Sequence, residues 1–323
     1  MKRHAQLAGL GLGLVLLTGC CHLSMSSRPF PAQPLPENLA DRVATCVPDD
    51  FCVQEISAQT NHTIFEQRLD LTFEPGVSGT NGVIALDCFQ PRRTNSPLPV
   101  VLILAVSGGD YKIEHHVARC FARNGYAAIV IRRPESDRSF TTGEQINGLL
   151  KWSVQNDVRV ADWIETRPEL DAHRIGVFAV SLGAIQGAIF ATVDPRVRAA
   201  VLGLTGGDVA DILTHTWHRT YVKRRDVMLR DEHLTLPELQ QQFAETILCD
   251  PIYFAPYVER KKILLVLAVF DHVVPFKNGQ ELRDKMGKPE TIYLLAGHFT
   301  ALMYLPYLEG EALDFYRDRF NED

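Results

Sequence analysis

The sequence predicts an α/β fold in which helices cover both faces of a mostly parallel central sheet. Short, almost uniformly apolar runs recur along the chain, and runs of this kind form strands that are buried on both faces. Helical patterns separate them, as a parallel sheet requires, because each crossover between parallel strands needs a long connection. In such sheets the functional site lies outside the carboxyl ends of the strands.

The elements follow in order. Two alternating segments, residues 64–73 and 83–89, predict an antiparallel hairpin. Apolar strands are then expected at residues 99–106, 126–131, 175–180, 198–204, 263–270 and 291–295. Helices are expected at residues 113–124, 150–166, 182–191, 276–286 and 308–320. Residues 208–257 interrupt the alternation with polar, aromatic and basic residues, and we interpret them as a mainly helical insertion over the site.

The composition is that of an ordinary globular protein. Of the 323 residues, 46% are hydrophobic and 22% are charged, so the chain can bury a large core. The net charge of -6 argues against a nucleic-acid partner, because phosphate binding needs a basic surface. The sequence does not predict an oligomeric state.

The first residues have the pattern of an export signal. A basic start, Met1 to His4, leads into an apolar run at residues 7–17 that is too short to span a bilayer as a mature helix. The run closes with Leu-Thr-Gly and Cys20, which resembles the lipobox of bacterial lipoproteins. The resemblance implies that residues 1–19 are removed and that Cys20 is lipidated. A secretory leader without lipidation is the alternative.

The lipobox resemblance implies a lipid-anchored protein of the bacterial cell envelope that faces the periplasm. In lipoproteins of this kind, an Asp directly after the lipidated cysteine favours retention in the inner membrane. The residue here is Cys21, so the resemblance favours the outer membrane. Residues 20–45, rich in Ser and Pro from residue 22 to 38, are expected to form a tether, and residues 46–323 the folded domain. In an oxidising compartment Cys46 and Cys52 form either a disulfide or two free thiols, and the sequence leaves both open.

The other cysteines are predicted to be packing residues. Cys88, Cys120 and Cys249 lie in or beside apolar runs, and no cysteine has metal-ligand spacing.

Ser181 lies where an apolar strand turns directly into an apolar helix. A turn of this kind strains the residue at the corner and requires small residues two positions before and after it, here Ala179 and Gly183. The residues resemble the nucleophile elbow of α/β-hydrolases, Gly-x-Ser-x-Gly, with Ala179 in place of the first glycine. A hydroxyl at this corner can attack a carbonyl, and the N–H of Leu182 can bind the resulting oxyanion. The alternative is a serine that caps a core helix.

Two further residues match the order of parts in α/β-hydrolases, which is nucleophile, acid and histidine. Asp271 follows the strand at residues 263–270 and resembles the family's Asp-x-x-Val-Pro turn. His298 follows the strand at residues 291–295 in a Gly-His turn, again similar to the family's. Asp208 is the alternative acid, because some members of the family carry the carboxylate after the preceding strand.

The loop after residues 99–106 is expected to supply a second oxyanion donor. It reads Ser107-Gly108-Gly109, and Gly108 is the first candidate for the donor and Gly109 the second. A plain turn before a helix is the other interpretation.

The resemblance to serine α/β-hydrolases covers residues 82–320 and is closest to the dienelactone-hydrolase-like, acyl-CoA-thioesterase-like and prolyl-oligopeptidase-like branches. It implies a hydrolase of carboxylic esters that acts on a small-molecule ester or acyl substrate through an acyl-enzyme and needs no cofactor. A thioesterase, a peptidase or an acyltransferase remains open. So does a non-catalytic binding protein with the same fold.

Other conspicuous residues are interpreted without a catalytic role. His215 and His218, three residues apart with no third ligand, are expected to lie on a helix face rather than to bind a metal. The basic run Lys223 to Arg225 is expected on a solvated helix face, although it would also suit an anionic substrate or lipid headgroups. His272 is expected to be a turn residue beside the acid.

Overall fold

A computed structural model describes most of the chain. The described residues are 20–26, 28, 30, 33–44, 50–60, 62–74, 82–94, 96–108, 110–133 and 142–322. The predicted signal segment at residues 1–19, together with Cys46 and Gly109, lies outside them.

Ten strands form one sheet in the described part of the chain. In sequence order they are β1 (Cys20–Leu23), β2 (Asp50–Thr60), β3 (Ile64–Glu74), β4 (Val83–Pro91), β5 (Leu98–Leu104), β6 (Ala127–Ile131), β7 (Leu170–Val180), β8 (Val197–Gly203), β9 (Ile263–Ala268) and β10 (Glu290–Leu294). Their order across the sheet is β1-β10-β9-β8-β7-β5-β6-β4-β3-β2. The six strands from β10 to β6 are parallel, and the other four pair antiparallel.

The helices of the described residues connect the strands. They are α1 (Glu37–Val43), α2 (Lys112–Arg123), α3 (Gly143–Glu165), α4 (Leu182–Val193), α5 (Val209–His215), α6 (Arg219–Asp231), α7 (Leu236–Thr246), α8 (Pro251–Phe254), α9 (Phe276–Lys285) and α10 (Leu305–Phe320). Short 3-10 turns occupy Ala255–Tyr257, Arg260–Lys262 and Thr300–Tyr304.

The sheet separates two apolar cores. Along β5, Val100 and Leu102 pack into one core with α3 and α4, whereas Val101 and Ile103 pack into the other with α2 and α10. Successive strand residues point to opposite faces, so a strand buried on both faces must be apolar throughout. The predicted fold, a mostly parallel sheet with helices on both faces, is therefore confirmed, as is the antiparallel pairing of β3 with β4.

Several elements extend beyond their predicted bounds. The 11-residue strand β2 was not predicted. It pairs only with β3 at the sheet edge, and most of its side chains are exposed. An edge strand of this kind lacks the apolar pattern on which the prediction depends. Strand β7 begins at Leu170 instead of residue 175, and α3 begins at Gly143 instead of residue 150.

The described residues between 20 and 45 differ from the predicted tether. Helix α1 buries Leu39 and Val43 in the core beside α3. Strand β1 pairs with β10, and the Ser26 N–H donates to the Lys288 carbonyl at 3.0 Å. The packed domain therefore includes residues before position 46. The sequence missed this because a seven-residue helix shows too few turns for its periodicity to be recognised.

Helices α5 to α8 lie between β8 and β9, so residues 208–257 form the mainly helical insertion that was predicted. Among the described residues, no helix combines the length and the apolar character needed to cross a bilayer.

Candidate active site

Ser181 occupies the corner between β7 and α4. Its backbone has φ 57° and ψ -125°, a strained conformation for a residue with a side chain. The Ser181 N–H donates to the Gly203 carbonyl of β8 at 2.9 Å, and its carbonyl accepts from the Ala184 N–H at 2.9 Å. These bonds fix the corner from the strand side and from the helix side.

The small residues around Ser181 are required by close packing. A Cβ atom added to Gly183 would lie 2.3 Å from the Leu104 carbonyl oxygen of β5, so only glycine fits. At the position of the family's first glycine, Ala179 is buried with 1% of its surface exposed. The helix residue that faces it is Gly187, where an added Cβ would lie 3.1 Å from Leu202 Cδ2 and 3.3 Å from Leu104 Cδ1. Glycine at this position thus lets α4 pack closely on the strands.

The structure brings Ser181, His298 and Asp271 together. His298 Nε2 lies 3.1 Å from Ser181 Oγ, and His298 Nδ1 lies 2.7 Å from Asp271 Oδ2. The three residues come from the carboxyl ends of β7, β9 and β10, which meet at one edge of the sheet. The side chains of His298 and Asp271 are 9% and 3% exposed, so their contact is shielded from water.

The loop after β9 orients the Asp271 carboxylate. Its second oxygen, Oδ1, accepts from the backbone N–H groups of Val273 and Val274 at 2.8 and 3.0 Å. Oδ2 is thereby directed at His298, whose Nδ1 must carry the proton of that bond. In the neutral imidazole, Nε2 then carries no proton and can accept that of the serine hydroxyl.

Asp208, the alternative acid, serves as a helix cap. It has φ 58°, and its side chain accepts from the Asp211 N–H at 3.0 Å at the start of α5. Its own N–H donates to Asp250 Oδ1 at 3.1 Å. The carboxylate that contacts His298 is that of Asp271.

Two of the three candidate oxyanion donors, Leu182 and Gly108, lie in the described residues and line the same cavity as Ser181. Leu182 is the first residue of α4, where backbone N–H groups have no acceptor within the helix. Gly108 has φ 58° and lines the same cavity as Ser181. Its loop is held by Glu114, whose Oε1 accepts from the Val106 N–H at 3.0 Å. Gly109 lies outside the described residues.

Ser181 and His298 open into a cavity of about 350 Å³. The insertion covers one side of it with residues of α5 and α6, and the 3-10 turn after His298 contributes another side. The lining is mostly apolar and includes Ile113, Ile146, Leu149, Leu150, Ile185, Val209, Ile212, Leu213, Leu302, Leu305 and Leu308. A cavity of this size suits a small molecule with an apolar chain.

Two polar residues of the insertion reach the cavity and were not predicted as site residues. The Tyr221 hydroxyl lies 2.9 Å from Ser107 Oγ. The His218 ring lies 5.1 Å from the Tyr221 ring and 6.4 Å from the Phe299 ring, measured between centroids. Burial lowers the pKa of His218, and the nearby His298 lowers it further. The sequence offered only the His-x-x-His spacing as a signal for His218.

The other conspicuous residues have local contacts. His215 Nδ1 lies 3.1 Å from Asp211 Oδ1, and within the described residues no cluster of three potential ligands is placed to hold a metal. Arg225 donates to the Thr214 carbonyl at 2.7 Å, while Lys223 is exposed. The His272 ring stacks on Trp217.

The predicted cysteine roles are resolved in part. Cys88 and Cys249 are buried as predicted, whereas Cys120 is half-buried. Cys52 is exposed on β2, and the predicted pair cannot be described because Cys46 lies outside the described residues.

Comparison with known proteins identifies the fold. No family model matches the sequence. A Bacillus subtilis (strain 168) protein named "Putative hydrolase YtaP" is 19% identical over 219 residues, which is 61% of this chain and 68% of that protein.

Two solved structures are similar over most of the chain. Acetyl xylan esterase 1 from Thermoanaerobacterium sp. JW/SL YS485 has a TM-score of 0.64 and 17% identity, with 91% of this chain and 100% of that chain covered. The acetyl xylan esterase from Paenibacillus sp. R4 has a TM-score of 0.63 and 19% identity, with 88% and 92% covered. With the sheet order and the crossovers described above, this likeness establishes the α/β-hydrolase fold.

Proposed function

We propose that this chain is a serine hydrolase of carboxylic esters in which Ser181, His298 and Asp271 form the catalytic triad. The observation that carries the proposal is the continuous hydrogen-bonded series from Ser181 Oγ through His298 to Asp271 Oδ2, at 3.1 and 2.7 Å, opening into a cavity. The three residue types, their order and their contacts are those of a nucleophile activated by an oriented base.

In the proposed reaction, Ser181 Oγ attacks the ester carbonyl while His298 Nε2 accepts its proton. The tetrahedral oxyanion is bound by the N–H of Leu182 and by a second N–H, assigned first to Gly108 and then to Gly109. The C–O bond to the leaving alcohol breaks as His298 returns the proton to the alkoxide, leaving an acyl-Ser181. Water, deprotonated by the same histidine, then attacks the acyl carbon; the bond from that carbon to Ser181 Oγ breaks as His298 returns the proton to Oγ, which releases the acid and the free serine.

The environment of His298 supports this cycle. Each step in which His298 accepts a proton places a positive charge on the imidazole, and the Asp271 carboxylate lies 2.7 Å from its Nδ1. Because both side chains are shielded from water, the attraction between these charges is stronger than on the surface. The carboxylate cannot turn away, since its other oxygen is held by two backbone N–H groups.

The cavity favours an ester with an apolar acyl or alcohol chain over a peptide. Its lining is dominated by aliphatic side chains, and burial of each CH₂ group of a substrate contributes about 0.8 kcal/mol. The similar solved structures are named as esterases, which supports ester hydrolysis as the reaction type. A thioesterase, a peptidase or an acyltransferase would use the same triad and remains the alternative.

The presence of all three residues disfavours a non-catalytic binding protein. Turnover of a chromogenic ester separates the two possibilities. The wild-type chain should release the chromophore, and Ser181→Ala should lose at least about 10³-fold in kcat. Ser96→Ala, in an exposed turn before β5, is the matched control and should keep full turnover. Full turnover by Ser181→Ala would refute the nucleophile.

A series of esters of increasing acyl length tests the apolar cavity. We expect kcat/KM to rise from acetate through the medium chain lengths until the cavity is filled, and then to level off or fall. A kcat/KM that is highest for acetate would contradict the proposed substrate class while leaving the triad intact.

We further propose that Cys20 is lipidated and holds the protein on a membrane of the bacterial cell envelope, facing the periplasm. The support is the basic start, the apolar run and the Leu-Thr-Gly-Cys sequence. Cys20→Ser should release the protein from the membrane fraction, and Cys52→Ser is the matched control. Unchanged membrane attachment of Cys20→Ser would contradict lipidation.

A further inference from the structure

Six large apolar side chains around the candidate active site are exposed. Their exposed fractions range from 49% for Leu302 to 71% for Phe299. We call this set the apolar rim, and it consists of Trp217, Phe270, Leu295, Phe299, Leu302 and Met303.

Five members of the apolar rim lie on the segments after β9 and β10 that carry Asp271 and His298, and the sixth, Trp217, lies between α5 and α6 and donates its backbone N–H to the His272 carbonyl at 2.7 Å. Phe270 directly precedes Asp271, and its N–H donates to the Ala296 carbonyl at 2.9 Å, which joins the loops after β9 and β10. The Trp217 ring stacks on His272 with 4.1 Å between centroids. Phe299 and Leu302 also line the cavity. The rim therefore borders the cavity at the edge of the sheet where the carboxyl ends of the parallel strands meet.

Exposure of this much apolar surface is costly for a protein that stays in water. Apolar surface left in water forgoes the free energy that its burial would release, and large exposed apolar patches usually mark a protein or membrane interaction site.

The position of Cys20 indicates what covers the apolar rim. Strand β1 runs antiparallel to β10, and Cys20 is paired with Leu294, the residue that precedes Leu295 of the rim. An acylated Cys20 would therefore attach the chain to a bilayer at the edge of the sheet that carries the rim and the cavity. A lipid anchor on Cys20 would thus bring a membrane to the rim.

The charge next to the rim fits an anionic bilayer surface. Helix α6 begins two residues after Trp217, and its exposed residues Arg219 and Lys223 lie one turn apart. Basic residues near an anionic membrane surface are attracted to it and strengthen binding. Aromatic side chains such as Trp217 favour the interface between headgroups and acyl chains.

We propose that the apolar rim docks on the anionic bilayer to which Cys20 is anchored, and that esters with apolar chains enter the cavity directly from that bilayer. The proposal rests on the lipid anchor and the ester hydrolysis proposed above. It adds the orientation of the domain, with the cavity entrance facing the lipid, and the source of the substrate.

Tryptophan fluorescence tests the orientation, because the chain has three tryptophans and only Trp217 belongs to the rim. The full chain carrying Ser181→Ala is incorporated into vesicles of phosphatidylglycerol and phosphatidylethanolamine with brominated acyl chains, which quench tryptophans that contact lipid. We expect quenching relative to unbrominated vesicles, and we expect Trp217→Phe to lose most of it. Trp152→Phe, on α3, is the matched control and should retain it.

A second pair of variants tests the rest of the apolar rim. Leu295→Ser combined with Met303→Ser should reduce the quenching of Trp217, whereas Val53→Ser combined with Ile56→Ser should not. The control residues are exposed on β2, which is the last strand at the other end of the strand order from β1. Thermal unfolding of each variant verifies that it is folded.

Equal quenching of the Trp217→Phe and Trp152→Phe chains, or no quenching of the parent chain, would overturn the proposal. So would sedimentation data that show a dimer of the parent chain and its loss in the rim variants, because the apolar rim would then contact a second copy of the chain and not a membrane. Since Ser181→Ala is present throughout, quenching does not depend on hydrolysis, and turnover of a soluble ester by the wild-type chain tests the proposed reaction separately.

Discussion

The hydroxyl groups of Ser107 and Tyr221 lie 2.9 Å apart, which joins the loop after β5 to helix α6 of the insertion. The first group belongs to the loop proposed to supply an oxyanion donor, and the second lines the cavity. The contact spans 114 residues of sequence. A hydrogen bond therefore connects the insertion to the loop that is proposed to supply a backbone N–H to the oxyanion.

The first prediction concerns this bond. Tyr221→Phe removes it while keeping the ring, and a hydrogen bond of this kind contributes about 1 kcal/mol, so kcat/KM should fall about fivefold. Ser107→Ala should have a similar effect, and the double variant should lose little more than either single one. Steady-state kinetics on a small soluble ester measures all three. Fully additive losses would show that the two hydroxyl groups act independently.

The second prediction concerns the tight corner at Ser181. Gly183→Ala places a methyl group 2.3 Å from the Leu104 carbonyl oxygen, so the helix must move away from β5. We expect an unfolding free energy lower by about 1–3 kcal/mol and a large loss of turnover, since Ser181 moves with the helix. Urea unfolding and ester kinetics are the measurements.

Gly148→Ala is the matched control for that substitution. Gly148 lies in α3, is exposed, and has no atom within 4 Å of the position of an added Cβ. The change should stabilise the helix by up to about 1 kcal/mol and leave turnover unchanged. Equal effects of the two substitutions would contradict the packing argument.

The third prediction distinguishes the two candidate acids. Asp271→Asn leaves His298 without the carboxylate that orients it, and kcat should fall on the order of 10³- to 10⁴-fold. Asp208→Asn keeps an oxygen that can cap α5, and it should change kcat less than about threefold. Ester kinetics on both variants decides between them. A greater loss in Asp208→Asn would assign the acid to the end of β8.

The site residues differ in how well the sequence could predict them. Ser181, Asp271 and His298 each follow an apolar strand, so the rule that parallel strands end at one edge was sufficient to bring them together. His218 and Tyr221 lie in an insertion whose path over the sheet is not determined by strand pairing. The composition of residues 208–257 predicted a mainly helical insertion but gave neither the bounds nor the directions of its helices. The sequence therefore could not place His218 and Tyr221 at the cavity.

The N-terminal region illustrates the same limit in the fold. Strand β1 is four residues long, and its position depends on pairing with β10, some 270 residues later in the sequence. Local composition around Cys20 resembles a linker, because the strand buries little of its own surface. Strand β1 is positioned by pairing with β10, which would otherwise be the edge strand of a sheet built from distant residues. No local sequence pattern indicates that this edge is there to be paired.

The fourth prediction concerns a buried carboxyl group beneath the elbow. Asp157 of α3 is completely buried, and its Oδ2 accepts from Gln186 Nε2 of α4 at 2.5 Å. Gln186 Oε1 in turn accepts from Arg133 at 2.5 Å. Burial raises the pKa of Asp157 to about 8, although the bond from Gln186 and the charge of Arg133 partly oppose the shift.

The raised pKa sets the direction of a pH effect. Between the ordinary pKa of an aspartate and about 8, the unfolded chain has lost the proton that the folded chain retains. The free energy of unfolding therefore falls as the pH rises through this window, by up to about 1.4 kcal/mol per pH unit from this group. The contribution is fully present below the unfolded pKa and is lost as the pH approaches 8.

Asp157→Asn removes this titration while keeping an oxygen that can accept from Gln186. We expect the variant to gain stability relative to the wild type as the pH is raised from 5 to 8, as measured by urea unfolding at each pH. Asp226→Asn, on the exposed surface of α6, is the control and should follow the wild-type curve. Parallel curves for Asp157→Asn and the wild type would mean that the folded chain holds Asp157 ionised, with Arg133 balancing its charge.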